Sequence, residues 1–133
     1  MAQEIRVDLK KSTVKVLRDG KLVREFDNVV TGPHTTQLLH HKGPLHIHKI
    51  KGITPKGLIN FVQILGNFGF HSDHWKHDRN HSHLTKIPGE HSHGCIRIPH
   101  DESKRFYEIV NDGDSVTFSD EQESSSDGSA LSK

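Results

Sequence analysis

The sequence predicts one mostly β domain with a single substantial helix near its C-terminal end. Three observations carry that expectation. Apolar and polar residues alternate along the first runs of the chain, tight-turn residues separate those runs, and a helical set of apolar positions follows Pro99. Residues 4–9 place Ile5, Val7 and Leu9 on one face, as a half-buried strand requires, and residues 14–17 repeat the pattern after a turn at Lys11-Ser12. Asp19-Gly20 then turns the chain, because both residues tolerate positive φ, and residues 22–30 return as a strand that ends at Thr31-Gly32-Pro33. Residues 45–50 alternate imperfectly, residues 58–65 form the most apolar stretch and read as a central strand, and residues 67–71 read as a short strand entering a loop. That loop, from Gly66 to Gly94, is rich in His, Asp, Asn and Lys, and a loop of such length is functional or disordered. Ile96 and Ile98 suit a strand. Pro99 opens a helix capped by Asp101 or Ser103, with Phe106, Tyr107, Ile109 and Val110 facing inward. Asn111-Asp112-Gly113-Asp114 ends it, and residues 115–118 form the last strand.

With 133 residues, of which 31% are hydrophobic, the chain fits one domain with extensive polar segments. The domain is placed at residues 1–118. Residues 119–133 hold almost nothing to bury and read as a disordered polar tail. A net charge of +1 without a basic block gives no footprint for nucleic acid, and no apolar run approaches a membrane span. The N-terminal residues lack the apolar stretch of a signal peptide. A monomer is expected.

Cys95 is the only cysteine, so it serves packing or chemistry rather than an internal disulfide. Its setting, Ser92-His93-Gly94-Cys95-Ile96-Arg97-Ile98, suits an activated thiolate. On an extended strand His93 and Cys95 share a face, Gly94 allows close backbone approach to a substrate, and adjacent N–H groups there can stabilise an oxyanion. Arg97 offers a planar fork for a carboxylate. These are the parts of acyl transfer through a thioester.

The run from Ser92 to Arg97 resembles the signature of the L,D-transpeptidase catalytic domain, the YkuD-type family of peptidoglycan enzymes. The likeness extends from Glu4 to Phe118, through the opening hairpin ending at Thr31-Gly32 and the closing helix, glycine turn and strand. It implies a β-sandwich with a helix after the cysteine. It implies Cys95 as nucleophile and His71, in Phe70-His71-Ser72, as general base, oriented through the Ser72 carbonyl. His93, Gly94 and Cys95 fall in the oxyanion-hole region, Arg97 positions the peptide stem, and Ser92 is a further substrate-binding residue. His71-Ser72-Asp73-His74-Trp75 resembles the His-Ser-x-x-Trp form of some members, with Trp75 at the substrate. The implied reaction cleaves the diamino acid–D-Ala bond of stem tetrapeptides, giving cross-linking, D-amino-acid exchange or L,D-carboxypeptidase hydrolysis without metal or organic cofactor. The implied location is periplasm or cell wall.

Two departures stand out. Twenty residues separate His71 from Ser92, longer than the family's usual gap, whereas His74 and His77 leave 17 and 14. The family's Thr-Pro-x-Gly segment after the first hairpin is not recognisable, because the corresponding stretch reads His40-His41-Lys42-Gly43-Pro44-Leu45. Histidine is also the compositional outlier, with 13 in the chain and seven between His71 and His93. Two other readings stay open: a histidine-rich metal-binding hydrolase, and a wall-binding module without chemistry in which Trp75, Phe70 and Tyr107 line a groove.

Overall fold

A computed structural model describes residues 2–89, 92 and 94–120. Strands dominate. Eleven of them occur among the described residues: β1 (Gln3–Asp8), β2 (Thr13–Arg18), β3 (Lys21–Phe26), β4 (Leu45–His46), β5 (His48–Lys49), β6 (Val62–Leu65), β7 (Phe68–Ser72), β8 (His74–Trp75), β9 (Thr85–Lys86), β10 (Ile96–Ile98) and β11 (Ser115–Ser119). Two helices, α1 (Thr36–Leu39) and α2 (His100–Ile109), complete the fold, and a 3₁₀ turn over Pro33–Thr35 leads into α1. One sheet has the order β3-β2-β1-β11-β4, a second has β10-β7-β6-β5, and β8 and β9 form a small pair of their own.

The first sheet follows from the alternation in the sequence. Antiparallel register sets Ile5 against Val16 and Val7 against Val14, and parallel register sets Ile5 against Val116. All five side chains point into the core. The positive φ of Ser12, Asp19 and Gly20 marks the two turns that make this register possible. The second sheet supplies Val62, Ile64, Phe70, Ile96 and Ile98 to the same core. Full burial of each such side chain contributes about 1.5–3 kcal/mol. Between the sheets, α2 inserts Phe106, whose ring meets Phe26 edge-on at 5.4 Å and Phe70 at 4.7 Å. One aromatic side chain thus ties the end of β3 to β7.

Several expectations need correction. The strand expected over 22–30 stops at Phe26, because Asn28 takes a positive φ, and Val30 makes only an isolated bridge to Arg97. The stretch 45–50 divides between two sheets, with β4 pairing β11 and β5 pairing β6. Only Val62–Leu65 of the expected central strand is extended. The long loop from Gly66 to Gly94 contains β7, β8 and β9, so the extra length after His71 is partly a short antiparallel excursion. Neither Asp101 nor Ser103 caps α2, since Pro99 occupies the cap position and Ser103 instead donates to the His100 carbonyl at 2.9 Å. The last strand runs to Ser119, paired with Asp8, one residue into the segment expected as tail. The rest of that tail, from residue 121, lies outside the described residues.

Candidate active site

Strands β7 and β10 run parallel with Ile96 opposite Phe70, Arg97 opposite His71 and Ile98 opposite Ser72. Side chains on a strand alternate between faces. Phe70, Ile96 and Ile98 are in the core, so His71, Cys95 and Arg97 turn to the other face. There all three line one cleft of about 500 Å³, together with Thr54, Lys56, Phe61, Phe68, Trp75 and Ile87 among others.

His71 is 4% exposed. Its Nδ1 lies 2.7 Å from the Ser72 carbonyl oxygen, which only accepts, so Nδ1 carries the hydrogen and Nε2 keeps its lone pair. Burial holds its pKa down at about 4, with the Arg97 charge acting the same way, while the Ser72 carbonyl and Asp73 oppose the shift. The imidazole is therefore neutral at pH 7.

Cys95 is half-buried, and its thiol donates to the Asn67 carbonyl at 3.2 Å. Burial pushes its pKa up, outweighing the Gly69 amide, Arg97 and Lys56, which favour the thiolate. The neighbours favour the thiolate, but desolvation outweighs them. Cys95 and His71 thus line the same cleft as a thiol and a neutral imidazole.

The cysteine loop is braced from the segment after β3. Ser92 N–H donates to the Thr31 carbonyl at 3.3 Å, and the Ser92 hydroxyl donates to the Cys95 carbonyl. Thr35, itself buried, accepts from Gly32 N–H at 3.1 Å and donates to the Gly94 carbonyl at 2.8 Å. A Cβ on Gly94 would run into the Phe68 ring, and one on Gly32 would overlap the Ser92 carbonyl. Glycine at these two places is a packing requirement. His93 lies outside the described residues.

Arg97 donates from Nη1 to the Gly89 carbonyl at 3.2 Å, so its guanidinium also supports the loop that leads towards Ser92. Trp75 faces the cleft and stacks on His77 with ring centroids 4.2 Å apart. Neither alternative base candidate lines the cleft: His77 lies on Trp75, and His74 Nδ1 is 2.7 Å from Asp73. Of the aromatic residues considered for a groove, Phe70 is instead in the core, and Tyr107 donates to the Ile50 carbonyl at 3.0 Å. His81 sits 2.6 Å from the Lys76 carbonyl, and His83 lies beside Asp78, which also accepts from Ser82. Among the described residues, no three His, Cys, Asp or Glu side chains converge as a metal-ligand set.

Sequence reasoning missed Thr35, Asp73, Lys56 and Phe68. Asp73 accepts from the first N–H of α2, at His100, at 2.9 Å, and its own N–H donates to the Ile98 carbonyl at 2.8 Å. Ser72 Oγ accepts from His74 N–H at 2.9 Å and lies 2.7 Å from His100 Nδ1. These bonds lock the end of β7 to the start of α2. Lys56 belongs to Thr54-Pro55-Lys56-Gly57, a Thr-Pro-x-Gly tetrapeptide further along the chain than residues 40–45. Its first three residues line the cleft, where the sequence reading had left a wall without that tetrapeptide.

The profile of the YkuD family, the L,D-transpeptidase catalytic domain, matches residues 2–118. The chain resembles the crystal structure of an L,D-transpeptidase from Stackebrandtia nassauensis, with 25% identity and a TM-score of 0.64 over 89% of this chain and 55% of that one. It therefore spans little more than half the length of that protein. The catalytic domain of the Enterococcus faecium L,D-transpeptidase, solved by NMR, is 24% identical with a TM-score of 0.62, covering 87% of this chain and 95% of that one. Mycobacterium tuberculosis L,D-transpeptidase 1 shares the fold at 18% identity and a TM-score of 0.63, over 89% of this chain and 62% of that one. No curated protein sequence matches the chain.

Proposed function

The chain belongs to the YkuD family of L,D-transpeptidase catalytic domains, and from that premise we propose that it is a peptidoglycan-modifying cysteine acyltransferase. The observation that carries this reading is the placement of a buried, tautomer-fixed His71 and a half-buried Cys95 thiol on one cleft, from adjacent parallel strands. Cys95 is the nucleophile and His71 the base, with Ser72 fixing the imidazole through its carbonyl.

Cys95 Sγ attacks the carbonyl of the L-centre of the diamino acid in a stem tetrapeptide. The thiol proton passes to His71 Nε2 as the S–C bond forms, which suits a neutral pair better than a preformed ion pair. The C–N bond to D-Ala then breaks, and the same proton goes to the departing amine. A thioester remains. An acceptor amine resolves it to a cross-link or an exchanged D-amino acid, and water resolves it to a tripeptide. Backbone N–H groups around Gly94 and Cys95 face the developing oxyanion. The Gly89-bound Arg97 and the Trp75 ring position the stem, and no metal or organic cofactor enters any step. The place of action is the periplasm or cell wall, where such stems occur.

Incubation with a disaccharide-tetrapeptide tests this by intact-mass and product analysis. The wild-type protein is expected to gain a tripeptidyl adduct and Cys95→Ala none, while His71→Ala slows acylation about 10²–10⁴-fold. An adduct on the alanine variant overturns the assignment of the nucleophile. Tripeptide product identifies hydrolysis, and a dimer identifies cross-linking.

A further inference from the structure

Ser72 does more than offer its carbonyl to His71. It is the last residue of β7 and forms the last rung of the pairing with β10, opposite Ile98. The ladder thus ends at the peptide that orients the imidazole. Ser72 N–H donates to the Ile59 carbonyl at 3.0 Å and Asp73 N–H to the Ile98 carbonyl at 2.8 Å, while the Ser72 carbonyl is taken by His71 Nδ1. The Ser72 side chain is fully buried. Its Oγ accepts from His74 N–H at 2.9 Å, so the hydroxyl hydrogen needs an acceptor of its own. Among the described residues that acceptor is His100 Nδ1, 2.7 Å away, which leaves the His100 ring hydrogen on Nε2.

His100 is the first residue of α2, and its backbone N–H donates to Asp73 Oδ1 at 2.9 Å. The start of α2 therefore grips both residues that follow His71. The His100 ring lies against that of His74, with centroids 5.1 Å apart, and His74 is itself held by Asp73. Yet His100 is only half-buried, belongs to no part of the hydrophobic core and does not line the cleft. Neither core packing nor contact with a substrate accounts for an imidazole at this place. We infer that His100 is a positioning residue for acyl transfer: its Nδ1 pins the Ser72 side chain, and through the Ser72 carbonyl it fixes the direction in which His71 Nε2 presents its lone pair. This role rests on the acyltransfer reading with His71 as base. Oγ and the carbonyl carbon of Ser72 hang from neighbouring atoms of one residue, so a hydroxyl held from two sides restrains the rocking of the peptide plane beside it.

Turnover of the disaccharide-tetrapeptide tests this, together with solvent exchange of the His71 Nδ1 hydrogen followed by NMR. His100→Phe keeps a ring against His74 but removes the acceptor. It is expected to lower kcat about tenfold with KM within about twofold, because a misplaced base slows chemistry rather than binding. His100→Asn returns an acceptor oxygen near the place of Nδ1 and is expected to bring kcat back to within about threefold of the wild type. Ser72→Ala loses as much as His100→Phe, and the double variant loses no more than either, as expected of two residues that act through one bond. The His71 Nδ1 hydrogen exchanges faster in His100→Phe and at the wild-type rate in His100→Asn. A wild-type kcat in His100→Phe, a loss confined to KM, or losses that multiply in the double variant overturn the inference. If the wild-type protein leaves the stem unchanged, the acyltransfer reading fails, and the exchange rates alone decide: faster exchange in His100→Phe means that His100 holds the imidazole, and unchanged exchange means that it does not.

Discussion

The two halves of the sandwich are built by different means. In the five-stranded sheet, β1, β2 and β3 follow one another through short turns, and their residues pair over small sequence separations, as Ile5 with Val16. In the other half, β7 meets β10 across the whole histidine-rich segment, as Phe70 with Ile96. The first half closes through its own hydrogen-bond ladder and apolar face. In the second, the β7–β10 ladder is only three residues long, and side chains bonding to backbone brace the site beside it: Thr35 to Gly94, Ser92 to Cys95, Arg97 to Gly89 and Asp73 to His100. The hairpins of β1, β2 and β3 form at low loop-closure cost and give β11 a long edge to pair with over five residues, whereas the three-residue pairing of β7 with β10 is supplemented by braces.

If that division is right, damage to the frame lowers stability without changing the chemistry of the folded protein. Ile5 is fully buried in the first sheet and is not among the residues that line the cleft. Ile5→Ala is expected to cost about 2–5 kcal/mol in urea unfolding. The acylation rate, measured well below the unfolding transition, stays within about twofold of the wild type, because Ile5 lines no part of the cleft. A large rate loss with Ile5→Ala would show that frame and site are not separable.

The next effect belongs to the site half alone. His71 has a pKa near 4 when folded, against 6.5 when unfolded, so the unfolded chain binds more protons between those values. Stability is therefore full above about pH 6.5 and falls as pH drops towards 4, by about 3 kcal/mol in all. His71→Gln removes this part of the pH dependence, and the difference between the two urea-unfolding curves across pH 4–7 measures it. Parallel curves would mean that His71 is not held neutral by burial.

The same contrast explains what the sequence made legible. Period-two alternation with Asp19-Gly20 is a local signal, and it located β1, β2 and the turn into β3. Cys95 was legible because seven consecutive residues carry the pattern. The brace was not: Thr35 is one threonine in a polar run, and nothing near it in sequence points to Gly94, 59 residues away. The helix α1 also escaped, because four residues give no period to read. Asp73 was hidden between two histidines that drew the chemical argument, although its carboxylate serves α2. Nor did the sequence reveal the raised thiol pKa, since burial is a property of the assembled cleft.

Thr35 offers the finest test of the two-part construction. Its hydroxyl accepts from Gly32 N–H and donates to the Gly94 carbonyl, joining the segment after β3 to the peptide beside Cys95. Thr35→Val keeps the shape but leaves both backbone groups without that partner, at a cost of about 1–2 kcal/mol. That is smaller than the expected loss for Ile5→Ala, yet the acylation rate is expected to fall about tenfold, because small displacements of a reacting group are costly. Thr35→Ser restores the hydroxyl and is expected to recover most of the rate. If Thr35→Val loses stability but acylates like the wild type, the Gly94 peptide is held by the Ser92–Cys95 turn alone, and the brace serves folding rather than the site.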